Sequence, residues 1–379
     1  MTIWKWADWL TPVPVDAQTT LGEGETPIVR SKRIGPDAGI PNLYFKLEST
    51  NPTGSFKDRF AAAAVSHMRA AGVQHCVATS SGNTGASLAA YCAAARIACD
   101  IAIVETAPTS KLAQMMCYGA NIFRVRKFGL DAEVTANMFA KLQVLGRRPK
   151  SSLQISGYVY CPQGMSGIES ISFELHEQIA SIDHVFAPAG GGGLCVGVAR
   201  GYQTLIREGQ CQLGPAVHCV QPTGNNTIAG PLRQGKHEAV DVQCTTQISG
   251  LQVASVVDGH LAIGACRASG GTGHVVEDAA TWRAQQDLAQ KEGIFSEPAA
   301  AIALAAALQA VDAGTVDRQS SIVCLVTGSG FKDERSLQRM LDGAECPTID
   351  LDEFGGTKPN ALHRDANDGA GHRAPLGEY

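Results

Sequence analysis

A lysine set between a turn and a helix is placed to do amine chemistry. Lys57 stands there, after Asn51-Pro52-Thr53-Gly54-Ser55-Phe56 and before Asp58 and Arg59. Pro52 fixes φ and Gly54 tolerates positive φ, so the stretch reads as a turn. The Ala-rich run from Phe60 to Ala71 reads as a helix ended by Gly72. A lysine in such a place is more often a solvated surface charge. Two features argue otherwise. Few residues around it are polar enough to mark a plain exposed face. Three glycine- or hydroxyl-rich loops lie downstream, each after an apolar run: residues 80–85, 190–194 and 327–333. Together they read as a site that holds a phosphorylated cofactor against an amine.

Each loop has a bland reading and a functional one. Gly190 to Gly193 is four glycines in a row, and on its own it could be a flexible linker. Between a strand and a helix, such a run lets backbone N–H groups approach an anion closely. The spacing from Gly190 to Arg200 is not that of a dinucleotide fingerprint. Ser80-Ser81-Gly82-Asn83-Thr84-Gly85 also follows a strand and precedes a helix, which suits an anion. Lys46 and Lys332 compete with Lys57 as the reactive amine. Neither has its turn-helix setting.

The elements that must position these loops alternate. Residues 43–48, 75–79, 99–105, 121–126, 183–187, 217–221 and 321–326 read as strands. Helices are expected over 60–71, 86–95, 110–118, 130–145, 168–179, 194–207, 277–291 and 298–311. Alternation of this kind predicts an α/β fold of open parallel sheets with helices on both faces. Residues 150–167 and 222–274 read as loop-rich. Trp4, Trp6 and Trp9 have near-helical spacing and are expected to pack on the body of the protein or on a second subunit.

The chain has 379 residues with 44% apolar content, enough for more than one lobe. The sequence shows no membrane-length apolar run and no secretory leader pattern. Net charge is −5 with dispersed Lys and Arg, which gives no footprint for nucleic acid. The twelve cysteines form no Cys-x-x-Cys pair, so a metal site is not expected. Cys76, Cys92, Cys99, Cys219 and Cys324 sit in apolar runs and read as buried, reduced thiols of a cytoplasmic protein.

Asn51-Pro52-Thr53-Gly54-Ser55-Phe56-Lys57-Asp58 resembles the Schiff-base segment of fold-type II pyridoxal-phosphate enzymes, most nearly the threonine synthase branch. Leu21-Gly22-Glu23-Gly24-Glu25-Thr26-Pro27 resembles a stretch near the start of those synthases, and the likeness covers roughly residues 1–345. It implies a tryptophan synthase β-like architecture in two domains. Residues 46–164 would form a small mobile domain, and 1–45 plus 165–345 a large one, with 346–379 as a loosely packed extension.

The resemblance also assigns roles. Lys57 would hold pyridoxal 5'-phosphate as the internal aldimine and then remove the substrate α-proton. Phe56 would pack by the cofactor ring, Asn83 would meet its ring hydroxyl, and Gly190, Gly191, Gly192, Gly193 and Leu194 would cradle its phosphate. Thr327, or Ser329 in its stead, would face the pyridine nitrogen as a neutral hydroxyl and leave it largely unprotonated. Ser80, Ser81 and Thr84 would bind the substrate α-carboxylate. A homodimer is implied too.

The implied reaction converts O-phosphohomoserine and water to threonine and phosphate. One departure bears on it. The family's arginine for the substrate phosphate has no counterpart in Tyr160-Cys161-Pro162-Gln163-Gly164-Met165-Ser166-Gly167, which leaves Arg59, Lys111 and Ser81 as candidates. Glu297-Pro298-Ala299-Ala300 carries alanines where the family has serines. A related lyase or replacement enzyme acting on another amino acid is the alternative. A non-catalytic protein that kept the fold is disfavoured by the intact Lys57, Asn83 and Thr327.

Overall fold

The computed structural model describes residues 2–80, 82–107 and 109–354. Ser81, the side chain of Lys111 and residues 355–379 lie outside the described residues. The chain through Asp333 forms one compact unit, and the stretch that follows, with its Glu334–Met340 helix, is a second.

Ten strands build two sheets. They are β1 (Ile28–Arg30), β2 (Leu43–Lys46), β3 (His75–Thr79), β4 (Ala98–Ile103), β5 (Asn121–Arg124), β6 (Ser151–Gln154), β7 (His184–Pro188), β8 (Ala216–Pro222), β9 (Gly273–Val276) and β10 (Ile322–Leu325). The larger sheet has the order β1-β2-β10-β7-β8-β9 and the smaller β5-β4-β3-β6. All pairings are parallel except β1 on β2, where Ile28 pairs with Lys46. The chain is an α/β protein, as its alternation predicts, with one antiparallel edge.

The central strands are mostly apolar because helices cover both faces. β10 (Ile-Val-Cys-Leu) is wholly buried, and so is nearly all of the Pro298–Asp312 helix that packs beside it. That helix is eight-fifteenths alanine, so it lies close to the sheet. Three short strands, β1, β6 and β9, escape the sequence pattern. β6 is Ser-Ser-Leu-Gln, with little apolar signal, and it pairs at the edge with β3. The Gly259–Ala268 helix and the first half of β9 fall inside the stretch read as loop.

Trp6 and Trp9 stack at 5.3 Å and both meet Phe173 on the Pro162–Gln178 helix, so the N-terminal aromatics pack on the body. All twelve cysteines are free thiols, and the five named above are buried. Cys76, Cys92 and Cys99 bring their sulfurs within 4.8 Å of one another, a grouping their spacing in the chain conceals. No helix among the described residues is long and apolar enough to cross a membrane.

Candidate active site

Lys57 is the first residue of the Lys57–Ala70 helix, one turn earlier than the alanines alone suggest. The turn before it closes with Gly54 N–H on the Asn51 carbonyl at 2.7 Å, and Gly54 takes φ +88°. Asp58 pins the loop from inside: its carboxylate accepts from the Thr53 N–H and hydroxyl, both at 2.6 Å. The Gly22-Glu23-Gly24 segment supports the turn, since Gly24 N–H donates to Asn51 Oδ1 at 3.0 Å.

Three loops are stitched together by backbone around this lysine. Ser55 bridges Gly328, and Ser296 bridges Ser329. Phe56 N–H donates to the Thr327 carbonyl at 3.0 Å, Ser329 N–H to Gly54, and Glu297 N–H to Gly328. The end of β10, the lysine turn and the start of the Pro298–Asp312 helix thus form one frame.

The Lys57 amine donates to Ser156 Oγ at 2.5 Å and lies 4.5 Å from the Phe56 ring centre. Burial lowers its pKa to about 8, against the opposing pull of Asp258 and Glu297. Such an amine is partly neutral near physiological pH, which a Schiff-base nucleophile requires.

Asn83 and Thr84 open the Asn83–Ala95 helix, and Ser80 accepts from Gly82 N–H in the loop before it. Ser80, Asn83 and Thr84 are half-buried, whereas the following turns of the helix are buried. Asn83 Nδ2 reaches both Glu297 oxygens at 3.1 Å, and the Thr327 hydroxyl donates to Glu297 Oε1 at 3.3 Å. Asn83, Thr327 and Lys57 are therefore brought together around one carboxylate.

The glycine run caps the Gly193–Arg207 helix. Gly192 takes φ +95° and provides no side-chain cap, so the first-turn N–H groups are left for an anion. A Cβ on Gly192 would lie 2.8 Å from Ala262, and one on Gly193 would lie 2.8 Å from Asp258 Oδ2. Leu194 is buried in the core behind the cradle. Asp258 also ties in the loop before the Pro162–Gln178 helix, by accepting from Tyr158 and Val159 N–H at 2.8 and 3.1 Å. A helix start without a side-chain cap, a close-packed glycine loop and a depressed lysine fit a phosphorylated aldehyde.

Arg59 corrects the sequence reading. Its guanidinium is fully buried and saturated, with Glu48 at 2.7 Å on two nitrogens and Glu174 at 2.6 and 2.8 Å. Lys46 joins the same cluster through Glu174 at 2.7 Å and the Thr26 carbonyl. Neither cation is open to a substrate, and Lys46 is thereby removed as a rival to Lys57. Lys332 is different. It is half-buried, donates to Gln114 at 2.8 Å and feels the charges of Glu297 and Asp58.

Sequence reasoning did not single out Ser156, Asp258 or Glu297 as site residues. Asp258 and Glu297 each stand immediately before a helix, at an N-cap position, and Glu297 also opens the Glu-Pro-Ala-Ala segment noted above. Ser156 lies in a Ser-Gly stretch with none.

Residues 19–328 match the family described as pyridoxal-phosphate dependent enzyme. The chain belongs to that family. Its cofactor is pyridoxal phosphate. Threonine synthase from Methanocaldococcus jannaschii is 31% identical over 87% of this chain and 80% of its own length. The Mycobacterium leprae threonine synthase is 33% identical over 86% and 85%. Among solved structures, the processed form of threonine deaminase isoform 2 from Solanum lycopersicum superposes with TM-score 0.71 at 20% identity, covering 90% of this chain and 92% of that one. Maize serine racemase gives 0.68 at 25% identity, over 84% and 92%.

Proposed function

We propose that this member of the family is a carbon–oxygen lyase that converts O-phosphohomoserine and water to threonine and phosphate. The observation that carries the lyase reading is the Lys57 amine, lowered to about 8 and held by Ser156. The threonine synthases related over most of the chain support the choice of substrate.

Pyridoxal phosphate, when bound, supplies an electron sink for charge that develops next to the substrate amino group. In this reading Lys57 carries the cofactor, and the N–H groups of Gly190 to Gly193 hold its phosphate, with Leu194 packed behind. Phe56 lies by its ring, Asn83 meets its hydroxyl and Thr327 its nitrogen. Ser80 and Thr84, with Ser81, hold the substrate α-carboxylate. The Nζ of Lys57 takes the α-proton, and Ser156 keeps that amine oriented as the proton moves. A β-proton and the γ-phosphate are then lost, the γ-carbon takes up a proton, and water adds across the α- and β-carbons with its oxygen on the β-carbon. Lys332 supplies the positive charge that the absent arginine would give to the leaving phosphate. A small domain of residues 46–164 closes over the substrate and excludes water, and the enzyme works as a homodimer in the cytoplasm.

One observation favours a second reading. With Arg59 locked in a buried cluster and no arginine in residues 160–167, an uncharged leaving group is easier to accommodate. Deamination of serine or threonine, or replacement at the β- or γ-carbon, then becomes the reaction. The test is turnover of O-phosphohomoserine by the cofactor-loaded protein, with phosphate and threonine followed together. Equal yields support the first reading. Turnover of serine with no phosphate released from O-phosphohomoserine rejects it.

A further inference from the structure

Cys76, Cys92 and Cys99 bring three sulfurs to one point beneath the smaller sheet. Cys76 on β3 and Cys99 on β4 are direct partners in the parallel register, so their side chains leave the same face side by side. Cys92 meets them from the Asn83–Ala95 helix. The end of that helix is fixed by the Ile97 N–H on the Cys92 carbonyl at 2.9 Å and by Arg96 at φ +57°. The three sulfurs lie within 4.8 Å of one another. Three sulfurs bound to one atom at about 2.3 Å stand at most about 4 Å apart, so a small inward movement closes the group.

The surroundings select the charge of what can bind. All three cysteines are buried in apolar core. Their neighbours along the strands, His75 and Asp100, point to the opposite face and bond each other at 2.9 Å. Three thiolates around a monovalent or divalent ion keep a net negative charge, and burying that charge without a partner is costly. Around a trivalent ion they keep none. Thiolates select soft ions. Trivalent arsenic is soft, takes three sulfurs in a pyramid and arrives in water as the neutral hydroxide.

We propose that Cys76, Cys92 and Cys99 form a binding site for trivalent arsenic, taken up as arsenous acid. Three S–H and three As–O bonds break, three As–S bonds form, and three water molecules leave. Arsenic stays trivalent, and neutral reactants give a neutral product. The site lies just below the surface, since Ala93, Ala94, Arg96 and Ala98 around the helix end are exposed, and fraying of that last turn admits the acid. This reverses the expectation drawn from cysteine spacing, because two strands and a helix supply the ligands instead of one short loop. Binding ties β3 and β4 to the helix that carries Asn83 and Thr84, and so braces the hydroxyl loop from behind.

The test is titration of the full-length, cofactor-loaded protein with arsenous acid, read by arsenic X-ray absorption and by melting. One arsenic per chain with three sulfur neighbours is expected, together with an upward shift of the melting transition. Both should be lost in Cys92→Ala, with Cys99→Ala as the second variant. Digestion of the loaded wild type without reductant gives an answer that needs no variant: the peptides bearing these three cysteines should be joined through arsenic. Fewer than three sulfur neighbours, arsenic on other cysteines, or an unchanged spectrum in whichever variant binds cofactor overturns the proposal. So does displacement of the arsenic by equimolar zinc, which would refute the charge argument that selects it.

Discussion

The surroundings of Lys57 disfavour its ammonium form, and the reactivity proposed for that amine has a sign that can be checked. Its pKa falls from 10.5 to about 8 on burial, with the nearby carboxylates opposing the fall. Capture of pyridoxal phosphate by the apoprotein should therefore accelerate as pH rises toward about 8 and level off above it, read from the growth of the visible absorbance band. Between about 8 and 10.5 the unfolded chain binds the extra proton, so the apoprotein should also gain stability with rising pH in that window. Lys57→Ala should lower turnover by at least about 10³-fold, since nucleophile and base are lost together. Lys332→Ala probes the substrate instead. It should raise KM for O-phosphohomoserine about 10-fold or more while leaving KM for serine within about 2-fold, because only the first carries a dianion. Equal changes for both substrates would remove Lys332 from phosphate recognition.

At the level of elements, the four charges of Lys46, Glu48, Arg59 and Glu174 join β2 to two helices. Burial alone would raise the Glu174 pKa, but Arg59 and Lys46 pull it below the ordinary carboxylate value. Its contribution is thus present above that ordinary value and lost as pH falls beneath it. Arg59→Met leaves two buried carboxylates without their partner and should cost about 3–5 kcal/mol in a denaturant titration. The glycine loop is as constrained. Gly192→Ala forces a Cβ into a left-handed residue and against Ala262, so cofactor affinity should fall about 10-fold or more, measured by fluorescence titration. These elements also show what the sequence could reveal. Lys57, the hydroxyl loop and the glycine run announce themselves because turn chemistry and strand-loop-helix order are local. The fate of Arg59 is not local. Its partners lie 11 and 115 residues away, and nothing beside it in the chain marks it as buried. Ser156 and Asp258 stay hidden for the same reason, since each meets Lys57 across a long stretch of chain. β6 escapes because Ser-Ser-Leu-Gln offers little apolar signal, and β9 because its first residue ends the Gly270-Gly271-Thr272-Gly273 run, which reads as loop.

On the scale of the whole molecule, the proposed cofactor site draws on loops from both sheets, so binding there should tighten the unit as a whole. At a hundredfold excess over Kd the gain is about 2.7 kcal/mol, visible as a single upward shift of the melting transition that Lys57→Ala should reduce. The same clustering has a mechanical side. The helix that begins at Lys57 is bolted through Arg59 to Glu48 beside β2 and to Glu174 on the Pro162–Gln178 helix. Its backbone is further tied to β10 through Thr327 and Gly328. The proposed attachment point of the cofactor is thus anchored to the larger sheet, although the residue itself precedes the whole of the smaller one in the chain. Ser80, Asn83 and Thr84 hang instead from β3 of the smaller sheet and the helix that follows it, so the lysine and the hydroxyl loop are carried by different sheets.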